Sequence, residues 1–186
     1  MFVVKKSKNN PILSPQTNNY FESFAVFNGN PIKVGEQIHL LYRAQSIPER
    51  FENNSFSLSV VGKAESRDGF SFKKREVFIT PEYPWEKFGC EDPRVTKIEG
   101  NYFIFYTALS SFPFEVSGIK VGLAISKDLK TISEKHLVTP FNAKAMTLFP
   151  EKINGKYIAI LTANTDIPPS HIAIAEFSEL EEIWST

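Results

Sequence analysis

In Glu91-Asp92-Pro93-Arg94, two carboxylates, a strand-breaking proline and a guanidinium stand side by side. A carboxylic acid beside a cation suits general acid chemistry at a C–O bond, with the arginine left to grip a sugar hydroxyl or an anion. The same side chains equally suit an Asp–Arg ion pair that ties down a strand start, and chemistry alone leaves both readings open. The cluster runs directly into Tyr102–Ala108, an apolar run that reads as strand, so a sheet must hold it. Alternation along a regular strand predicts Asp92 and Arg94 on one face and Glu91 on the other.

Internal repeats indicate which sheet this is. Val34–Ala44, Ile98–Ala108 and Ile153–Ala163 each run from an apolar residue through a Gly-containing turn into a strand ending in Tyr-Arg-Ala, Tyr-Thr-Ala or Leu-Thr-Ala. Val60–Phe72, Lys120–Ile132 and His171–Ile183 follow them in the same order and align on Ala64, Ala124 and Ala175. Each unit reads as strand, Gly turn, strand, loop, third strand and a polar turn around Asp68, Asp128 or Glu179. A short fourth strand completes it at Phe70–Phe78 and at His136–Val138. Four-stranded antiparallel units at this period predict an all-β fold, a β-propeller of which this chain holds about three blades; a β-sandwich is the alternative. Three blades do not close a ring, so residues 1–186 read as a single propeller domain that is incomplete or that closes through a partner such as a second copy. The innermost strand of each blade is expected before its Gly turn, at Val26–Val34, Cys90–Ile98 and Leu148–Ile153, with its first residues at the mouth of the channel.

The remaining residues narrow the function. Lys+Arg and Asp+Glu both number 21, which offers no basic surface for nucleic acid or an anionic membrane. The 17 Phe, 6 Tyr and 2 Trp favour strands and filled cores. The single cysteine, Cys90, rules out an internal disulfide, and with 3 scattered histidines it gives no metal-ligand spacing. No signal-peptide stretch opens the sequence and no run is long enough to span a bilayer, so a cytoplasmic protein is expected. His39 shares a face with Leu41 and Arg43 and reads as a packing residue. Tyr83 and Trp85 stand on a Pro-rich loop where they suit sugar stacking or loop anchoring. Asp68 and Asp128 recur at turn positions and are rejected as catalytic.

Several of these stretches together resemble glycoside hydrolase family 130, the β-mannoside phosphorylases and mannosidases built on a five-bladed propeller. The pieces are NPIL (Asn10–Leu13), VFN (Val26–Asn28), LLYRA (Leu40–Ala44), GKAESRDGFSF, GCEDPRVTKIEGNYFIFYTA (Gly89–Ala108), VGLAISKDL and LFPEKINGKY, in the family's order. The resemblance implies inverting cleavage of β-mannosidic bonds in an oligosaccharide substrate, with Asp92 as proton donor and no cofactor beyond inorganic phosphate as a co-substrate. It makes Arg43 a residue of the sugar pocket with Asn28 beside it, Arg94 the arginine of the Glu-Asp-Pro-Arg motif, and Lys144 a lysine near the anion site. Phosphorolysis needs cations around the anomeric carbon, whereas inverting hydrolysis needs a second carboxylate roughly 6.5–9.5 Å from the first. Where family phosphorylases carry His-Arg-Pro this chain has Leu161–Asp166, and Ala145 replaces the acidic residue after the lysine. These departures lean the reading toward water as acceptor, with Glu91, Glu151 and Asp166 as the carboxylates on hand. A non-catalytic sugar-binding or scaffold fragment is the alternative.

Overall fold

Tight glycine turns make the central hairpin of every repeat. At Gly35, Gly100 and Gly155 the backbone takes φ of 59°, 83° and 78°, left-handed values that glycine adopts without steric cost. The computed structural model describes residue 3 and residues 5–185. Its strands are β1 (Ala25–Val34), β2 (Gln37–Gln45), β3 (Glu49–Phe51), β4 (Asn54–Phe56), β5 (Ser59–Ser66), β6 (Lys73–Ile79), β7 (Gly89–Ile98), β8 (Asn101–Leu109), β9 (Ile119–Ser126), β10 (Glu134–Leu137), β11 (Ala143–Leu148), β12 (Tyr157–Ala163) and β13 (His171–Phe177).

The fold is all-β. β1-β2-β5-β6 and β7-β8-β9-β10 form two antiparallel units, joined by a lone parallel bridge between Ser59 and Gly89 into one eight-stranded sheet. β11-β12-β13 form a third unit, and among the described residues no sheet closes on itself. The repeat register read from the sequence holds: Ala64, Ala124 and Ala175 stand opposite Leu40, Ile104 and Ala159. Asp68 and Asp128 each accept two backbone N–H bonds within their turns. One inner strand is misplaced in the sequence reading. β11 lies upstream of the expected Leu148–Ile153, because Pro150 cannot donate to the ladder and the chain has already turned there.

Alternation along β2 and β8 places the core. Leu41 packs with Val61, Ile79 and the even-numbered face of β8 (Tyr102, Ile104, Tyr106) between the first two units. Phe103 and Phe105, on the other face of β8, pack with Met146, Leu148 and Leu161 of the third. Polar bonds cross the same seams: buried Lys63 donates to Leu129 O (2.6 Å), Val95 N to Asn30 Oδ1 (2.8 Å) and Thr96 Oγ1 to Leu148 O (2.8 Å). The β3–β4 hairpin, absent from the sequence reading, is held by Phe51 and Phe56 against Phe88 and Phe112. Among the described residues no helix is long and apolar enough to cross a membrane.

Candidate active site

The first strand of each of the three units carries the same irregularity near its first residues. β1 pairs Phe27 with Arg43 and then Asn30 with Leu41. β7 pairs Glu91 with Thr107 and then Arg94 with Phe105, and β11 pairs Lys144 with Thr162 and then Thr147 with Ile160. Each is a bulge with one extra residue, and the residue after the last regular pair is left-handed: Asn28 (φ 51°), Asp92 (φ 53°) and Ala145 (φ 55°). Asn and Asp tolerate this region better than other L-residues, whereas alanine meets the full penalty of about 1–2 kcal/mol.

The bulge overturns the expected alternation at the charged cluster. Glu91 and Asp92 do not diverge; both carboxylates meet Arg43, which β2 aims at the second unit on the face it shares with Leu41. Arg43 NH2 lies 2.5 Å from Glu91 Oε1 and NH1 3.7 Å from Asp92 Oδ1. The guanidinium is fixed from below by the Phe27 ring, 4.8 Å from its Cζ, and its Nε donates to Ser59 Oγ at 3.2 Å. Asn28 Nδ2 donates to Asp92 Oδ1 at 2.7 Å. Asp92 Oδ1 is thus held by one hydrogen bond from Asn28 and a longer ion-pair contact with Arg43, and Oδ2 has no hydrogen-bond donor among the described residues. Burial pushes the Glu91 carboxyl above the ordinary range, with Arg43 pulling the other way.

Arg94 does not join this group. Its NH1 donates to the carbonyl of Pro93 at 2.9 Å, and among the described residues no carboxylate lies within salt-bridge distance of it. Lys144 occupies in β11 the position of Glu91 in β7, and its Nζ sits 3.2 Å from Asp166 Oδ2. The structure therefore brings Asn28, Arg43 and Asp92 together, leaves Arg94 beyond the bulge on β7, and places Lys144 before the matching bulge of β11 in the third unit. Glu151 lies in the β11–β12 turn, at the end of the sheet opposite the bulges. His39 pairs with Glu65 through a 3.9 Å contact, and Tyr83 stacks on Trp85, which stacks on Tyr106 and anchors the loop.

Two features escaped the sequence reading. Glu91 faces the site only because the bulge resets the strand, and Pro93 inside a central strand was the available signal. Thr107, opposite Glu91, keeps a buried hydroxyl with no hydrogen-bond partner in the protein, and its pairing was invisible without the register. Among the described residues no three His, Cys, Asp or Glu side chains converge on a metal-sized position. A hollow of about 800 Å³ on the first unit, lined by Leu13, Val26, Ile38 and Leu40, contains none of these charged groups.

Comparisons with known proteins agree with this layout. A family profile described as beta-1,4-mannooligosaccharide phosphorylase, that of glycoside hydrolase family 130, matches residues 2–179. Two proteins of Thermoanaerobacter sp. (strain X514) are similar: a beta-1,2-mannobiose phosphorylase, 34% identical over 173 residues, and a 1,2-beta-oligomannan phosphorylase, 35% identical over 168. Each match covers 90% of this chain but only 57% and 56% of those proteins, so the chain spans little more than half their length. The structure of a beta-1,2-mannobiose phosphorylase from Listeria innocua, in complex with beta-1,2-mannobiose, superposes with a TM-score of 0.79 at 26% identity. That superposition covers 94% of this chain and 62% of the other. With the profile spanning nearly every residue and the motifs falling on the bulged inner strands, the chain belongs to glycoside hydrolase family 130.

Proposed function

We propose that the three sheet units are consecutive propeller blades and that they carry the proton-donating side of an inverting enzyme cleaving β-1,2-mannosides, with phosphate as the acceptor. The observation that carries this reading is Asp92 itself. It is a half-buried carboxyl on a left-handed bulge, with one oxygen held by Asn28 and Arg43 and the other left for chemistry. In the proposed step Asp92 gives its proton to the glycosidic oxygen as the C1–O bond breaks. A phosphate oxygen forms the new bond to C1 from the opposite face, giving a sugar 1-phosphate of inverted configuration and a free hydroxyl on the departing sugar. Arg94, which has no carboxylate partner among the described residues, and Lys144 supply positive charge for the phosphate. Phosphate brings its own nucleophilic oxygen, so no second carboxylate is required. Glu91 is a poor base, since it stands beside Asp92 on the same strand with its charge committed to Arg43. The named activities of the Thermoanaerobacter relatives support the same choice of acceptor.

Hydrolysis is the second reading, and Asp166 favours it. It lies in the loop after β12, at the bulged end of the third unit, and it pairs with Lys144. One assay separates the two: β-1,2-mannobiose is incubated with the protein, with and without inorganic phosphate, and products are resolved by NMR. Phosphate-dependent mannose 1-phosphate is the expected outcome, and phosphate-independent mannose overturns it. Asp92→Asn should lower turnover by about 10²-fold or more while leaving the circular dichroism spectrum unchanged. Full activity in that variant removes Asp92 as the acid, and binding of mannobiose without turnover by the unsubstituted protein indicates a non-catalytic role.

A further inference from the structure

Six residues before Asn28, and six before Asp92, stands a glutamate with no exposed surface, Glu22 and Glu86. Glu86 Oε2 accepts the Tyr106 hydroxyl at 2.5 Å, and its Oε1 binds the Lys135 ammonium and accepts backbone N–H bonds from Glu82 and Tyr83. Glu22 Oε2 accepts the Tyr42 hydroxyl at 2.8 Å and Arg75 Nε at 3.0 Å, and its Oε1 accepts Asn19 Nδ2 at 2.8 Å. Each tyrosine follows its glutamate by 20 residues. Each ring also lies flat over a glycine of the next strand: a Cβ on Gly62 or Gly122 would come within 2.6 Å of the tyrosine Cζ. The two units thus contain the same Glu–Tyr–cation triad, built from the turn before the inner strand, the second strand and the outermost strand.

The third unit lacks it. Thr139 stands six residues before Ala145, and the tyrosine–glycine pair is replaced by Leu161 opposite Ala173. That unit stays folded around an apolar seam instead. The triads therefore occur where the bulge carries a polar site residue and are absent where it carries alanine. Burying an ion pair is a weak source of stability, since desolvation offsets most of the attraction; a well-packed apolar seam does as well.

We infer that the triads Glu22–Tyr42–Arg75 and Glu86–Tyr106–Lys135 are positioning devices for the site, fixing where β1 and β7 begin so that Asn28 and Asp92 meet. Tyr42 immediately precedes Arg43, and Tyr106 immediately precedes Thr107, the pairing partner of Glu91. Glu86 also touches Cys90 Sγ at 3.4 Å, two residues before Asp92. Both bulge residues hold strained left-handed backbones, which persist only where the surroundings over-determine them. The triad supplies that constraint from the upstream side.

The inference rests on the proposed role of Asp92, and its test has one arm that does not. In isotope-labelled protein the Asn28 side-chain amide reports the 2.7 Å bond to Asp92 whether or not sugar is turned over. Tyr106→Phe and Tyr42→Phe each remove one hydroxyl, and Gly122→Ala displaces the Tyr106 ring while keeping every polar group. Leu180→Ala, in the third unit's apolar core and at the end away from the bulges, is the control for general loss of stability. We expect the three triad variants to move the Asn28 amide resonance and speed its hydrogen exchange. They should also lower kcat on β-1,2-mannobiose by roughly 10–100-fold with KM nearly unchanged, as a small misplacement of a reacting group does. Leu180→Ala should lower the melting temperature and leave both readouts in place. Triad variants that melt earlier but keep the wild-type amide signal would reduce the triads to packing, and so would a control that moves it equally. If the wild-type protein turns over no mannobiose, the functional reading fails and the amide signal alone still decides this inference.

Discussion

Replacing Arg43 with methionine is the sharpest probe of the site's electrostatics. The guanidinium and the Glu91 carboxylate are 2.5 Å apart, with side chains 18% and 10% exposed. Removing the cation strands a buried negative charge, which costs about 3 kcal/mol at neutral pH. The lost ring contact with Phe27 adds about 0.5–1 kcal/mol, and methionine partly restores it by packing. Glu91 can escape the penalty only by taking up a proton. Burial already raises its folded pKa above the unfolded value, so its contribution to stability is fully present below the unfolded pKa and is lost as pH rises through the folded one. Without Arg43 the folded value rises further and the window widens toward neutrality. Urea unfolding at a series of pH values should therefore show an Arg43→Met deficit that is small in acid and grows to its full size near neutral pH. Adding Glu91→Gln should recover about 1–2 kcal/mol of it, because an amide needs no counter-charge. A deficit that is flat with pH, or a double variant no more stable than Arg43→Met, would refute the account of a committed Glu91–Arg43 pair.

Two smaller outcomes follow from other parts of the fold. Bonds from the Phe70 and Ser71 amides and the Ser66 hydroxyl pull the Asp68 carboxyl down to about 2. Its stabilising effect is present above the ordinary carboxylate pKa and lost as pH falls through about 2, so Asp68→Ala should melt earlier than wild type at neutral pH and no earlier in strong acid. Cys90 is fully buried, and burial together with Glu86 pushes its thiol up. A thiol reagent should label it only at the rate of unfolding, and rapid labelling of the native protein would contradict its placement.

Much of this fold was legible because repetition is a sequence property. Ala64, Ala124 and Ala175 could be aligned by eye, and they occupy equivalent ladder positions. Asp68 and Asp128 betrayed their turns by recurring. Arg43, Asp92 and Asn28 are marked by the motifs they share with a family, and their meeting in space follows from those motifs lying on adjoining strands. The direction of Glu91 was not legible, because a period-two argument holds only while the ladder is regular and one inserted residue reverses it. The start of β11 was missed for a related reason: the proline taken as a strand marker, Pro150, lies beyond the strand's end. The triads lay further out of reach, since Glu86 meets Lys135 49 residues away and Glu22 meets Arg75 53 away, separations at which local pattern carries no information.

The bonds that gather Asn28, Arg43, Glu91 and Asp92 cross the seam between the first two units. Asn28 and Arg43 come from the first, Glu91 and Asp92 from the second, and Lys144 from the third. No unit folded by itself holds Asp92 with its partners, so the cluster behaves as a logical AND: it exists only after adjacent units have docked. A nascent or partly opened chain, with its hairpins formed but its seams apart, would carry all the right residues and hold none of them in place. The Asn28–Asp92 bond would thus double as a proofreading signal for assembly, lost at the first loosening of a seam, well before any strand melts.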